Sequence, residues 1–225
     1  MEPQMAVIFD VDGVLIDSYR PHFESWRMLA AEHGIDMTEQ QFATTFGRTS
    51  RDIIAHFWGD QVMPEQIPAM DERKEALYRE IIAHDFPAMD GAAALIDALD
   101  EAGFLLAVGS SGPPQNVELT LEMLGRTDRI DVKVTGADVE RGKPDPQVFL
   151  IAAERLALPP AQCAVVEDAP AGIAAARAAG MTAIGLTGTS DAAGLTGADR
   201  IVASLRELGP VTIAELITHH IETTA

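Results

Sequence analysis

Cysteine is almost missing from this chain. Of 225 residues only Cys163 is one, which excludes an internal disulfide and a cysteine-built metal cluster. It lies in the apolar run Cys163-Ala164-Val165-Val166, the setting of a buried, inert thiol rather than of a nucleophile. Positive charge is scarce too. Lys and Arg total 16 against 35 Asp and Glu, a formal net charge of −19, whereas nucleic acids and anionic membranes are met by basic stripes. Those partners are excluded. A small phosphorylated metabolite is not, because a local positive pocket can oppose the global field. No apolar run approaches the ~20 residues of a membrane span, and the N-terminus lacks the basic and apolar regions of a secretory signal. Internal repeats and low-complexity tracts are absent as well. The expectation is a cytoplasmic protein, monomeric by default, with a dimer as the alternative.

What is present is an ordinary globular composition, 47% hydrophobic and 23% charged, long enough for an α/β core plus an inserted module. Residues 5–10 form a continuous apolar run ending in acid, as fits a strand buried on both faces of a parallel sheet. The form recurs at 104–109, 164–166 and 182–186, with weaker candidates at 132–134 and 200–202. Helical spacing fills 91–102, 117–124, 146–156 and 170–179, with Gly103 and Gly180 placed to end two of them. Strand–helix alternation from about residue 88 predicts a doubly wound parallel sheet, a Rossmann-like α/β core. Residues 20–86 break the pattern. They show helical periodicity, punctuated by Pro64, Pro68 and Pro87, and no buried strand. The domain expectation is a core of residues 1–17 and 88–225 with an all-helical cap at 18–87.

Chemistry-bearing residues stand at the ends of these runs. In Asp10-Val11-Asp12-Gly13, two acids two residues apart would share one face of a strand. Open α/β sheets hold ligands at that carboxyl end. In a pair of carboxylates one can take up a phosphoryl group and the other can move protons. Acids crowded around a phosphate need a cation, and Mg²⁺ suits an all-oxygen site. Glu167 and Asp168 end another buried run and supply further carboxylates, Glu167 as a direct or an outer ligand. Gly109-Ser110-Ser111-Gly112 offers a hydroxyl and successive N–H groups for an anion at a strand-to-helix turn. Lys143, one of three lysines, sits in Gly142-Lys143-Pro144-Asp145-Pro146, where prolines stiffen the backbone and an ammonium could balance a phosphate.

These four segments, in this order, resemble the haloacid-dehalogenase-like hydrolases. The likeness is to the subfamily with a helical cap after the first motif, which includes phosphoglycolate phosphatase and β-phosphoglucomutase. The resemblance implies that Asp10 is the nucleophile, Asp12 the general acid/base, Ser110 and Ser111 phosphate-binding residues and Lys143 the bridging lysine. It also implies that Asp10, the Asp12 carbonyl, Asp168 and Glu167 hold Mg²⁺. An Asp at position 12 implies phosphate-ester chemistry rather than dehalogenation. In the cap, His22, Gly47, Arg48 and Arg51 are the candidate substrate contacts. The mutases place a lysine directly before a Gly-x-x-Arg loop. Here Phe46 precedes Gly47, and Arg51 falls one residue late. The expected activity is therefore a Mg²⁺-dependent phosphatase for a sugar phosphate or phosphoglycolate-like compound. A hexose-phosphate mutase is the alternative, and a catalytically silent binding protein on the same fold is a third.

Overall fold

Four successive apolar residues, Ala6–Phe9, make β1, and each is fully buried in the computed structural model, which describes residues 4–45, 49–59 and 62–224. The other strands are β2 (Leu105–Gly109), β3 (Val132–Val134), β4 (Cys163–Glu167), β5 (Thr182–Leu186) and β6 (Arg200–Val202). All pairings are parallel and the spatial order is β3-β2-β1-β4-β5-β6. This order reverses direction at β1 and β4, and the crevice outside their carboxyl ends is where a doubly wound sheet receives a ligand. Ala6 and Ile8 join Ala107, Cys163 and Val165 in a core shared with α7 (Gln147–Arg155) and α8 (Pro170–Ala178). Val7 and Phe9 point the other way and are equally buried. Burial on both faces explains why the strands read as unbroken apolar runs instead of alternating.

The remaining core helices are α5 (Ala92–Glu101), α6 (Pro114–Leu124) and α9 (Pro210–Thr224). Helix α6 begins three residues before the expected start at 117. Pro114 opens it, at a position whose N–H has no partner within the helix anyway. Helix α9 was not expected at all. It buries only Ile213 and Ile217, too narrow a stripe to stand out in the sequence.

The chain divides into two compact units, Met1–Asp17 with Pro87–Ala225, and Ser18–Phe86. At the crossings Asp17 N donates to Pro87 O (2.9 Å) and Met89 N to Leu15 O (3.1 Å), so the outgoing and returning strands of chain run side by side. The second unit contains α1 (Tyr19–Glu32), α2 (Glu39–Ala43), α3 (Ser50–Trp58) and α4 (Ile67–His84), with no strand among its described residues. Its own core gathers Phe23, Trp26, Leu29, Phe42, Ile54 and Leu77. Pro68 lies in the first turn of α4, where a proline marks the start of a helix. No described helix is long and apolar enough to cross a membrane.

Candidate functional site

The register sets Phe9 level with Val108 on one side and Val166 on the other. Asp10 therefore leaves the sheet between Ser110, just past β2, and the Glu167–Asp168 pair at the end of β4. Its N–H still bonds to Val166 O (2.9 Å), but β1 ends at Phe9. Strand alternation is thus not what relates Asp10 to Asp12, contrary to the sequence argument. A tight loop does this instead. Leu15 N donates to Val11 O and Gly13 N to Ile16 O, each at 2.8 Å, and Gly13 adopts φ +77°. A side chain at Gly13 would put its Cβ 1.9 Å from Asp168 Oδ2, so glycine here makes room for a neighbouring carboxylate.

Lys143 is the hub. Its Nζ donates to Asp10 Oδ1 at 2.7 Å and to Glu167 Oε1 at 2.8 Å, and its side chain is almost wholly buried. The loop that carries it is pinned on both sides. Gln147 Oε1 accepts from the N–H groups of Glu140 (2.9 Å) and Arg141 (3.0 Å), and Asp145 Oδ1 accepts from Gln147 N (3.0 Å). Glu167 is held from two directions, since its Oε2 accepts from Ala169 N at 2.7 Å. It lies over Gly172 of α8, where a Cβ would sit 1.7 Å from Oε1. Gln147 and Gly172 were not singled out in the sequence. The signal for Gly172 was available: a glycine in the first turn of a helix directly after two acids.

One ligand oxygen each from Asp10, Glu167 and Asp168 lie within 4.8 Å of one another, and all three residues are buried. Three carboxylates face one ammonium, so full ionisation leaves surplus negative charge. Burial pushes the Asp10 carboxyl well above the usual carboxylate range; Lys143 pulls it back, while Glu167, Asp168 and Asp12 add to the rise. Asp168 is pushed up to about 7, by burial first and then by Glu167, against the neighbouring Thr189 hydroxyl and the charge of Lys143. For Lys143, burial works against the ammonium, but Asp10 and Glu167 outweigh it and hold its pKa above the ordinary lysine value. A hard divalent cation fits this donor set, because all its atoms are oxygens and burial with mutual repulsion disfavours the ionised forms of Asp10 and Asp168 when no cation is there. Cys163, by contrast, is buried with its thiol pushed up to about 12 by desolvation.

Ser110 is buried and its Oγ accepts from Gly112 N at 3.0 Å. The Ser110 N–H is spent on Val134 O. Two of the N–H groups expected to form an anion nest are therefore committed within the protein, which leaves the Ser110 hydroxyl proton as the clearer donor. A Cβ at Gly112 would lie 3.3 Å from Ser110 Oγ and 3.7 Å from Asp12 Oδ2, so the hydroxyl and the second acid border the same small space. Ser111 is exposed. In the helical unit, His22 stacks on Tyr78, with ring centroids 4.3 Å apart, and its Nδ1 is 2.9 Å from the buried Lys74 Nζ. Lys74 also bonds Glu75 and lies over the Trp26 ring; sequence reasoning passed it over. Arg51 is exposed in the first turn of α3. Gly47 and Arg48 lie outside the described residues.

Carboxylates and a lysine gathered at the switch point of a doubly wound sheet define an α/β enzyme that handles an anionic group. Residues 4–180 match the haloacid dehalogenase-like hydrolases, and the chain belongs to that family. By class it is a phosphatase. It is 37% identical over 210 residues to the validoxylamine A 7′-phosphate phosphatase of Streptomyces hygroscopicus subsp. limoneus, covering 90% of this chain and 95% of that protein. Hexitol phosphatase A of Escherichia coli is 32% identical, covering 89% and 91%. The crystal structure of β-phosphoglucomutase from Clostridium difficile superimposes with a TM-score of 0.84 at 26% identity, over 98% of this chain and 100% of that one.

Proposed function

We propose that this chain is a Mg²⁺-dependent phosphatase for a small sugar phosphate or a similar phosphorylated metabolite, working in the cytoplasm through an aspartyl-phosphate on Asp10. The observation that carries the reading is the Lys143 bridge between Asp10 and Glu167, set against the Asp10–Glu167–Asp168 oxygens that lie within 4.8 Å of one another. Asp10, Asp168, the Asp12 carbonyl and Glu167 would hold Mg²⁺, which when bound neutralises charge around the phosphoryl group. Lys143 orients the Asp10 carboxylate and offsets part of the cost of ionising it in a buried place. An Asp10 oxygen then attacks phosphorus as the bond to the ester oxygen breaks, and Asp12 gives its proton to the leaving alkoxide. Asp12, now a carboxylate, takes a proton from water as that water attacks the same phosphorus. The bond to Asp10 breaks, and inorganic phosphate and free Asp10 result. The Ser110 hydroxyl steadies a phosphoryl oxygen throughout.

A second reading, transfer of the phosphoryl group back to a sugar, draws on the likeness to a β-phosphoglucomutase structure. Both readings meet one experiment. The purified protein is offered a panel of phosphorylated sugars, sugar alcohols and short acids with Mg²⁺, while released phosphate is assayed and sugar isomers are followed by NMR. Phosphate release that stops with chelator and returns with Mg²⁺ is the expected result. Isomerisation faster than release would replace the phosphatase by the mutase, and neither product would overturn both.

A further inference from the structure

We propose that Thr189, in the loop between β5 and β6, is a positioning residue that holds the Asp168 carboxylate in its metal-binding orientation. This rests on the Mg²⁺ reading above. Asp168 follows directly on β4 and is buried, and β5 is the strand beside β4, so the loop leaving β5 emerges at the same end of the sheet. From it the Thr189 hydroxyl stands beside the Asp168 carboxylate, whose ionised form it favours. Gly13 shows how close the three segments come. A Cβ there would meet Asp168 Oδ2 at 1.9 Å and Thr189 Oγ1 at 2.9 Å, so the carboxylate lies between the β1 loop and the threonine with no room for another side chain.

The loop can hold a hydroxyl in place because it is tied at both ends. Thr187 N donates to Val202 O (2.9 Å) and Gly188 N to Ser190 O (3.1 Å). Further along, Leu195 is fully buried in the sheet core. Thr189 itself is exposed, so no packing demand accounts for it. A carboxylate that gives one oxygen to a metal has lone pairs left over, and a donor on them fixes its rotation. Such outer partners typically change metal affinity 10–100-fold. The sequence alone gives no hint of this, because Thr187-Gly188-Thr189-Ser190 reads as a polar loop. The rule that ligands gather at strand carboxyl ends, applied to β5 as it was to β1 and β4, would have raised it.

The test is Mn²⁺ binding to the full-length protein, read by the loss of free-ion EPR signal, with Mg²⁺ competition, for wild type, Thr189→Val and Thr189→Ser. Valine keeps the shape and removes the donor, and serine restores it. Expected are roughly tenfold or greater weakening in Thr189→Val, near wild-type affinity in Thr189→Ser, and unchanged melting of the metal-free proteins. Phosphatase kcat of Thr189→Val should recover at saturating Mg²⁺. Equal Mn²⁺ affinity in wild type and Thr189→Val overturns the role of Thr189 and leaves the metal site standing. Equal weakening in Thr189→Ser overturns it as well, since the hydroxyl is then not what matters. A wild-type protein that binds no Mn²⁺ removes the metal reading and this inference together.

Discussion

Asp10 carries two opposed demands: a nucleophile must be ionised, and burial makes ionisation costly. The Lys143 bridge answers part of that conflict, and a cation would answer the rest. Asp10→Asn keeps the shape and removes the nucleophile, so phosphate release should fall to background while circular dichroism and melting remain those of a folded protein. Near-normal turnover in that variant would end the assignment. Gly13→Ala is the steric counterpart. The left-handed backbone alone costs about 1–2 kcal/mol for a residue with a Cβ, and the added carbon would stand 1.9 Å from Asp168 Oδ2. Urea unfolding should show at least that loss, and Mn²⁺ affinity should drop with it; an unchanged affinity would mean that Asp168 is not where the metal binds. Asp10 and Asp12 were legible in the sequence, because acids directly after a fully apolar strand have few structural reasons to be there. The cause of their convergence was not legible. It is a loop held by hydrogen bonds from Gly13 and Leu15, and period-two reasoning cannot see where a strand stops.

At the scale of the element, α8 shows tertiary contacts overruling local propensity. Alanine is favoured over glycine within a helix by about 1 kcal/mol, and Gly172 lies in the first turn of α8. Judged by propensity, Gly172→Ala should not harm the protein. The structure reverses the sign, because the new Cβ would lie 1.7 Å from Glu167 Oε1, the same oxygen that receives Lys143. Gly172→Ala should therefore lower stability and reduce kcat well beyond any effect on KM, as Glu167 swings out and Lys143 loses an anchor. A variant more stable than wild type with unchanged kcat would show that Glu167 can leave its place freely. Strands with two buried faces and helices closed by glycine were readable, since both leave continuous or periodic apolar marks. Helix α9, with its narrow buried stripe, and the pinning of the Lys143 loop by the Gln147 side chain were not. A side chain that caps backbone N–H groups in a loop leaves no periodic trace.

For the molecule as a whole, the carboxylate cluster and the −19 net charge work in one direction as pH rises. Asp168 has an ordinary value of 3.8 and is pushed up to about 7 in the fold. Below about pH 4 it is protonated in folded and unfolded chains alike and costs nothing. Between about 4 and 7 the unfolded chain has released this proton and the folded one still holds it. The unfolded state then binds fewer protons, and stability falls as pH increases. Above about 7 the full penalty is present. A tenfold change in proton affinity is about 1.4 kcal/mol, so the metal-free protein should be weaker at pH 8 than at pH 5 by a few kcal/mol. Asp10 is raised by the same burial and steepens the trend. Mg²⁺ should reverse it, because a cation among Asp10, Glu167 and Asp168 replaces the retained protons. The stabilisation by bound metal grows with the ratio of its concentration to Kd, and Kd itself should tighten as these acids ionise. Melting temperatures in chelator should then drop from pH 5 to pH 8, and the increment from adding Mg²⁺ should be small at pH 5 and large at pH 8. In Asp168→Asn both the slope in chelator and the Mg²⁺ increment at pH 8 should shrink. If wild type in chelator is equally stable at both pH values, or if Mg²⁺ stabilises Asp168→Asn as strongly as wild type, these buried carboxylates are not what couples metal, proton and fold.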